Sequence, residues 1–193
     1  IGNRNGLLVF GNAYAKNAIG PQWPLVFHES PGPSGWADAI IKVAKTKFKM
    51  TSVVLIAPND QGGTDITNVD ADAYRANGIQ AIEEFYQRGT TNFAPIVTRL
   101  LSHKTDAIDI ASSPPTDGGT LLKQLRQAGF TGPIGRLGGP AFDEIVRVVG
   151  SVDTIKDFYW YDAVNVGDPQ VQKMWNDYQK LMGTKPPENT SLA

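Results

Sequence analysis

From residue 52 to residue 183 the chain alternates short apolar runs with stretches of helical period. Few architectures accommodate that pattern. A strand followed by a helix, repeated, packs as helices over a mostly parallel sheet, because each crossover must return the chain to the same end of the sheet. The first run, "SVVLIAP" (52–58), is continuously apolar, as expected of a strand covered on both faces. Further strands are expected in "IQAIEEFYQ" (79–87), "DAIDIASS" (106–113), "GPIGRLGG" (132–139) and the aromatic "DFYWYDA" (157–163). Glu83 and Glu84 fit the second of these poorly.

The intervening helices carry stop and start signals. Residues 68–78 end at Gly78. Residues 92–104 place Phe93, Ile96, Val97, Leu100 and Leu101 on one face, with Asn92 as N-cap. Residues 118–130 bury Leu121, Leu122, Leu125 and Ala128. Residues 141–150 repeat Phe142, Ile145, Val146 and Val149 at helical spacing. A last helix, 168–183, starts with Asp168 and Pro169 at N-cap and N1; its apolar face is Val171, Met174, Trp175, Tyr178, Leu181 and Met182. The first fifty residues differ: a strand in "GLLVFG" (6–11), then a strand, a Pro/Gly-rich turn and a helix across 24–45. "ESPGPSG" (29–35) reads as a crossing between two bodies.

Ligands of such sheets sit at the carboxyl ends of the strands. The loops of interest are therefore 59–64, 112–118, 136–141 and 160–166. The first contains "NDQGG" after a strand, a layout shared with phosphate sites. It has no Lys after the glycines and no G-x-G-x-x-G spacing, so a nucleotide loop is not supported. The bland alternative is a turn with Asp60 or Thr64 capping the next helix; a polar-ligand contact is the other.

Composition narrows the function further. Eighteen Lys+Arg oppose nineteen Asp+Glu, without a basic block for nucleic acid or anionic membrane. The absence of cysteine excludes disulfides and thiol catalysis. Two histidines argue against a histidine-built zinc site, no acidic pair has metal-like spacing, and no cofactor is implied. The apolar runs are too short to span a bilayer. Residue 1 is Ile and the C-terminus is loop-like "GTKPPENTSLA", so a mature or trimmed chain with its signal peptide removed is expected.

No catalytic constellation emerges. Ser112 and Ser113 lack a G-x-S-x-G elbow; they either meet a ligand or hold the turn. Arg136 either pairs with a ligand carboxylate or forms an internal bridge. His28 is either a cleft hydrogen-bonding group or a backbone-satisfied hinge residue, and His103 sits where it would serve a helix dipole. In the aromatic strand, alternation puts Tyr159 with Tyr161 on one face and Phe158 with Trp160 on the other.

Five pieces in order resemble the branched-chain amino-acid type of periplasmic solute-binding protein, the receptors of ABC importers. They are "PLVFHESP", "SVVLIAPNDQGG", "GTTNFAPIVTRLLSHKTDAIDIAS", "LLKQLRQAGFTGPI" and "DPQVQKMWNDYQKLMGTKPP". The resemblance implies a Rossmann-like three-layer α/β lobe with a mostly parallel sheet, part of a type I periplasmic binding protein fold, and a full member nearly twice this length. It divides the chain into the end of the first lobe's opening half (1–27), a hinge crossing (28–35), the second lobe (36–158), and a return crossing leading into lobe one again (159–193). Relatives often carry a Tyr where this chain has Gly62. Amino-acid binders place an acidic residue in the turn matching "RLGG", where Gly138 and Gly139 stand, and the usual Arg of the first crossing is His28.

The function implied is capture of a small polar solute by hinge closure, without catalysis, and its delivery to a membrane ABC permease. The protein would act as a monomer in the periplasm, or outside the cell as an anchored lipoprotein. The lining residues expected are His28, Gln61, Gly62, Ser112, Ser113, Arg136, Tyr161 and Asp162. The alternatives are the sensor domain of a regulator or receptor, and a Rossmann-like enzyme.

Overall fold

The computed structural model describes residues 2–11, 20–29, 32–151, 153–162, 165 and 167–184. Strands β1 (Val9–Gly11) and β2 (Val26–His28) form a small parallel pair, with Val9 opposite Val26 and Gly11 opposite His28. The main body begins with α1 (Pro33–Phe48) and β3 (Ser52–Pro58). It continues through α2 (Gln61–Ala76), β4 (Gln80–Tyr86), α3 (Ala94–Ser102), β5 (Ala107–Asp109), α4 (Pro115–Gln127), β6 (Ile134–Arg136), α5 (Phe142–Val149) and β7 (Phe158–Trp160). Helix α6 (Pro169–Met182) follows.

The five strands β3–β7 form one all-parallel sheet in the order β4-β3-β5-β6-β7. The chain starts in β3, moves outward to β4, then crosses back over β3 to β5 and proceeds the other way. Strand order therefore reverses between β3 and β5, and the crevice beyond their carboxyl ends is the topological switch point of such sheets.

Two apolar clusters sandwich the sheet. Val53 and Leu55 of β3 point to α1 and α2, where they meet Trp36, Ile41, Ala71 and Tyr74. Val54 and Ile56 point the other way, to Ile96, Leu100, Leu121, Leu125 and Ile145 of α3, α4 and α5. Burial on both sides explains why β3 reads as an unbroken apolar run. β4 is an edge strand, so its carboxylates stay partly solvated and find partners. Glu83 accepts from Arg75 at 2.7 Å, while Glu84 meets Arg99 and His103 at 2.7 and 2.8 Å. His103 thus pairs with a carboxylate across to β4, beyond the dipole role expected of it.

Several sequence-based boundaries shift, and α4 starts at Pro115, three residues before the expected 118. Helix α2 begins seven residues before the expected 68, because the glycine pair lies inside its first turn. A side chain at Gly63 would overlap the Pro58 carbonyl, so the close strand-to-helix turn requires glycine there. Asp60 is the N-cap, accepting from the Gly63 N–H at 2.8 Å. Phe93 occupies the α3 N-cap position, while Asn92 accepts one turn donor, Ala94 N–H, at 3.1 Å. α6 is capped by Asp168 as expected, yet none of its residues is buried, and Leu181 and Met182 are exposed. Residues 30–31 of the expected first crossing, 163–164 and 166 of the return crossing, and the tail beyond 184 lie outside the described residues.

Candidate functional site

Because the sheet is all parallel, the five carboxyl strand ends share one edge. The first lip of the crevice is the β3–α2 turn. Gln61 and Gly62 are exposed on the first turn of α2. The Gln61 amide donates to Asp65 at 2.9 Å. A Cβ at Gly62 would lie 3.7 Å from Asp60 Oδ1 with nothing else close, so the position opens onto free space. Asp60 itself is occupied. Its second oxygen accepts from Arg88 beyond β4, and with the Gly63 N–H this holds the carboxyl below the usual carboxylate range.

The second lip is the β5–α4 loop, residues 110–114. It is pinned at nearly every polar atom. Ser113 is buried, and its hydroxyl donates to the Ile56 carbonyl at 3.1 Å, tying this loop to β3 across the switch point. Arg136, only 5% exposed, donates through Nη1 to the carbonyls of Ser113 at 2.7 Å and Ala111 at 3.1 Å. Its Nη1 is thus committed to backbone on this loop, its Nε is buried with no partner among the described residues, and burial lowers its basicity somewhat. Ala111 adopts a left-handed φ of 40°, a strained conformation for a residue with a Cβ. Ser112 is different from its neighbours. Its hydroxyl oxygen is buried and has no hydrogen-bond partner among the described residues. A buried hydroxyl left unbonded costs free energy unless something completes it.

Tyr161 and Asp162 follow β7 at the same edge, while His28 lies in the β1–β2 pair. Tyr161 follows β7 and stacks on Trp36 of α1, ring centroids 3.6 Å apart and nearly parallel. Trp36 in turn donates its indole N–H to the Leu137 carbonyl at 2.8 Å, bracing the β6–α5 loop. Asp162 is exposed beyond it. His28 ends β2, half-buried, opposite Gly11 of β1. The switch point therefore brings Gln61, Gly62, Ser112 and Ser113 together. Arg136 supports their loop from β6, and Tyr161 borders β7 two strands away.

Beneath this edge lies a polar cluster that sequence reasoning missed. Tyr74 donates to Asp109 Oδ2 at 2.7 Å, and the Tyr74 and Tyr159 hydroxyls are 2.6 Å apart. All three side chains are buried. Asp70 sits fully buried on α2, both oxygens without a partner among the described residues. Burial, then the charge of Asp109, pushes its carboxyl well up. The one sequence signal was Gly135 inside a strand: a Cβ there would lie 2.5 to 2.6 Å from the Tyr159 ring and hydroxyl. Among the described residues there is no group of three His, Cys, Asp or Glu placed to hold a metal, and no helix long and apolar enough to cross a membrane.

The family profile described as "periplasmic binding protein" matches residues 1–193, the whole chain. The chain belongs to the periplasmic binding protein family. Solved structures agree in fold. A leucine-binding protein from Thermotoga maritima superposes with a TM-score of 0.72 at 17% identity, over 95% of this chain and 60% of that one. An extracellular ligand-binding receptor from Rhodopseudomonas palustris gives 0.73 at 21% identity, over 95% and 54%. A branched-chain amino acid transporter binding protein from Streptococcus pneumoniae, in complex with isoleucine, gives 0.68 at 18% identity, over 95% and 53%. No curated protein matches the chain. This periplasmic binding protein chain thus spans between half and two thirds of the length of these solved relatives.

Proposed function

We propose that this chain is the ligand-capturing portion of an extracytoplasmic solute-binding component of an ABC importer, and that it is not an enzyme. The observation that carries the reading is the Ser112 hydroxyl: buried, unbonded among the described residues, and held on a strained loop at the switch point of a parallel sheet. In this reading Ser112, Gln61 and the open space at Gly62 form the ligand face of one lobe. Tyr161, Asp162 and His28 border it, while Ser113 and Arg136 act by fixing the loop. The solute is small and polar: an amino acid, a carboxylate, an aromatic acid or an amide.

The β1–β2 pair and α6 belong, on this proposal, to a second lobe. Exposed apolar side chains support the assignment: Leu7 and Leu8, just before β1, and Phe10 each stand about three-fifths exposed, and no residue of α6 is fully buried. Solute between the lobes favours the closed state because only that state offers contacts from both sides. The closed protein, a monomer in the periplasm or anchored outside the cell by a lipid, then delivers its solute to a membrane permease.

A thermal-shift screen of the full-length protein against amino acids, aromatic acids, other carboxylates, amides and nucleotides tests this. The expected result is stabilisation by one small polar class with no turnover. Stabilisation by nucleotides alone, or turnover of any compound, would sink the solute-binding reading.

A further inference from the structure

Two residues near the start of the loops that follow β5 and β6, Ala111 and Leu137, meet the same buried carboxylate. The Ala111 N–H donates to Asp109 Oδ1 at 2.7 Å while its carbonyl accepts from Arg136. The Leu137 N–H faces the same carboxylate and helps hold it down, while the Leu137 carbonyl accepts from Trp36. One buried carboxylate thus anchors the first loop directly and lies against the start of the second. Its other oxygen accepts from Tyr74, which fastens the pair to α2, and Tyr159 extends the chain of hydroxyls to β7.

We propose that Asp109 is the positioning residue of the ligand face, setting the β5–α4 and β6–α5 loops in register with each other and with α2. The proposal rests on the solute-binding reading only in calling that edge a ligand face. The geometry favours a carboxylate over its neutral isostere. Asp109 receives the Ala111 N–H on one oxygen and the Tyr74 hydroxyl on the other and faces the Leu137 N–H, and an amide side chain in its place would point an N–H₂ group at one of these donors. The groups facing it are Asp70 and Tyr74 from α2, Arg136 from β6 and Tyr159 from β7. Among the described residues no donor is aimed at Asp70, whose carboxyl is raised by burial and by the charge of Asp109. Burial raises the Asp109 carboxyl, with its donors and Arg136 opposing, so on acidification it protonates above the usual carboxylate range and releases a loop N–H.

Hydrogen exchange of the full-length protein, followed segment by segment, tests this without any ligand. Asp109→Asn is expected to speed exchange about tenfold or more at 110–113 and 137–139, while amides of β3 keep their protection relative to global unfolding measured on the same variant. Acidification of the wild type is expected to produce the same local step, absent in Asp109→Asn. Tyr74→Phe, which keeps the carboxylate, serves if Asp109→Asn does not fold; it is expected to loosen both loops by a smaller factor. A uniform rise that tracks global stability, or loosening of one loop without the other, would overturn the positioning role. Binding of solute is read separately by thermal shift, so loss of that reading leaves the exchange result intact.

Discussion

Gly135→Ala probes the packing on which the buried cluster depends. The added Cβ would sit 2.5 Å from Tyr159 Cζ and 2.6 Å from both Cε2 and the hydroxyl. Carbon atoms rest at about 3.5–4.0 Å, so the ring must retreat by roughly 1 Å. It is 7% exposed, packed near Phe48 on one side and hydrogen-bonded at 2.6 Å to Tyr74 on the other. Overpacking of this kind costs about 1–3 kcal/mol. Breaking the hydroxyl contact adds about 1 kcal/mol. The gain from replacing a strand glycine offsets roughly 0.5–1 kcal/mol. The net expectation is a loss of about 2–3 kcal/mol, which for a chain of this size lowers Tm by about 4–12 °C. Urea and thermal unfolding followed by circular dichroism measure it. In a Tyr159→Leu background the ring is gone and the same substitution should be close to neutral. A penalty below 0.5 kcal/mol, or an equal penalty in both backgrounds, would refute the reasoning.

Three further expectations follow from the same contacts. Tyr74→Phe should destabilise more than Tyr159→Phe, by about 1–2 kcal/mol, because it strips a donor from a buried carboxylate and a partner from a second hydroxyl; paired urea melts decide the order. For Asp70, whose folded carboxyl is raised by burial, the folded state holds a proton the unfolded chain releases, so its contribution is present at low pH and lost as pH rises above the unfolded value of about 3.9. Asp70→Asn should therefore be more stable than the wild type at pH 7, with the gap closing toward pH 4 in Tm measured against pH. Arg126→Lys should cost about 2–3 kcal/mol in thermal melts, since Arg126 alone reaches four carbonyls, those of Thr154, Phe130, Gly132 and Lys156, at 2.7 to 3.2 Å.

The architecture was legible because its strongest signals are local. An unbroken apolar run marked β3, and helical spacing marked α3 to α5. Boundaries failed where tertiary contact overrode propensity, as at Gly62 and Gly63, read as a turn ahead of the helix but lying within the α2 first turn against Pro58. Glu83 and Glu84 looked out of place in a strand because their partners, Arg75 and Arg99, stand on helices that only the fold brings near. The switch-point residues Gln61, Gly62, Ser112 and Ser113 could be found from strand ends alone. The anchor beneath them could not: Tyr74 meets Asp109 and Tyr159 across 35 and 85 residues of sequence, and no spacing encodes that meeting. Arg136 was legible at a strand end but not as a clamp on two backbone carbonyls.

The central claim is that solute binds at the carboxyl edge of the sheet. Hydrogen exchange of the full-length protein, with and without the solute that most raises its Tm, tests that placement directly. The account predicts protection in 59–62, 111–114, 137–139 and 160–162. Protection confined to the opposite edge, at 50–52, 79–80 and 105–107, would contradict it.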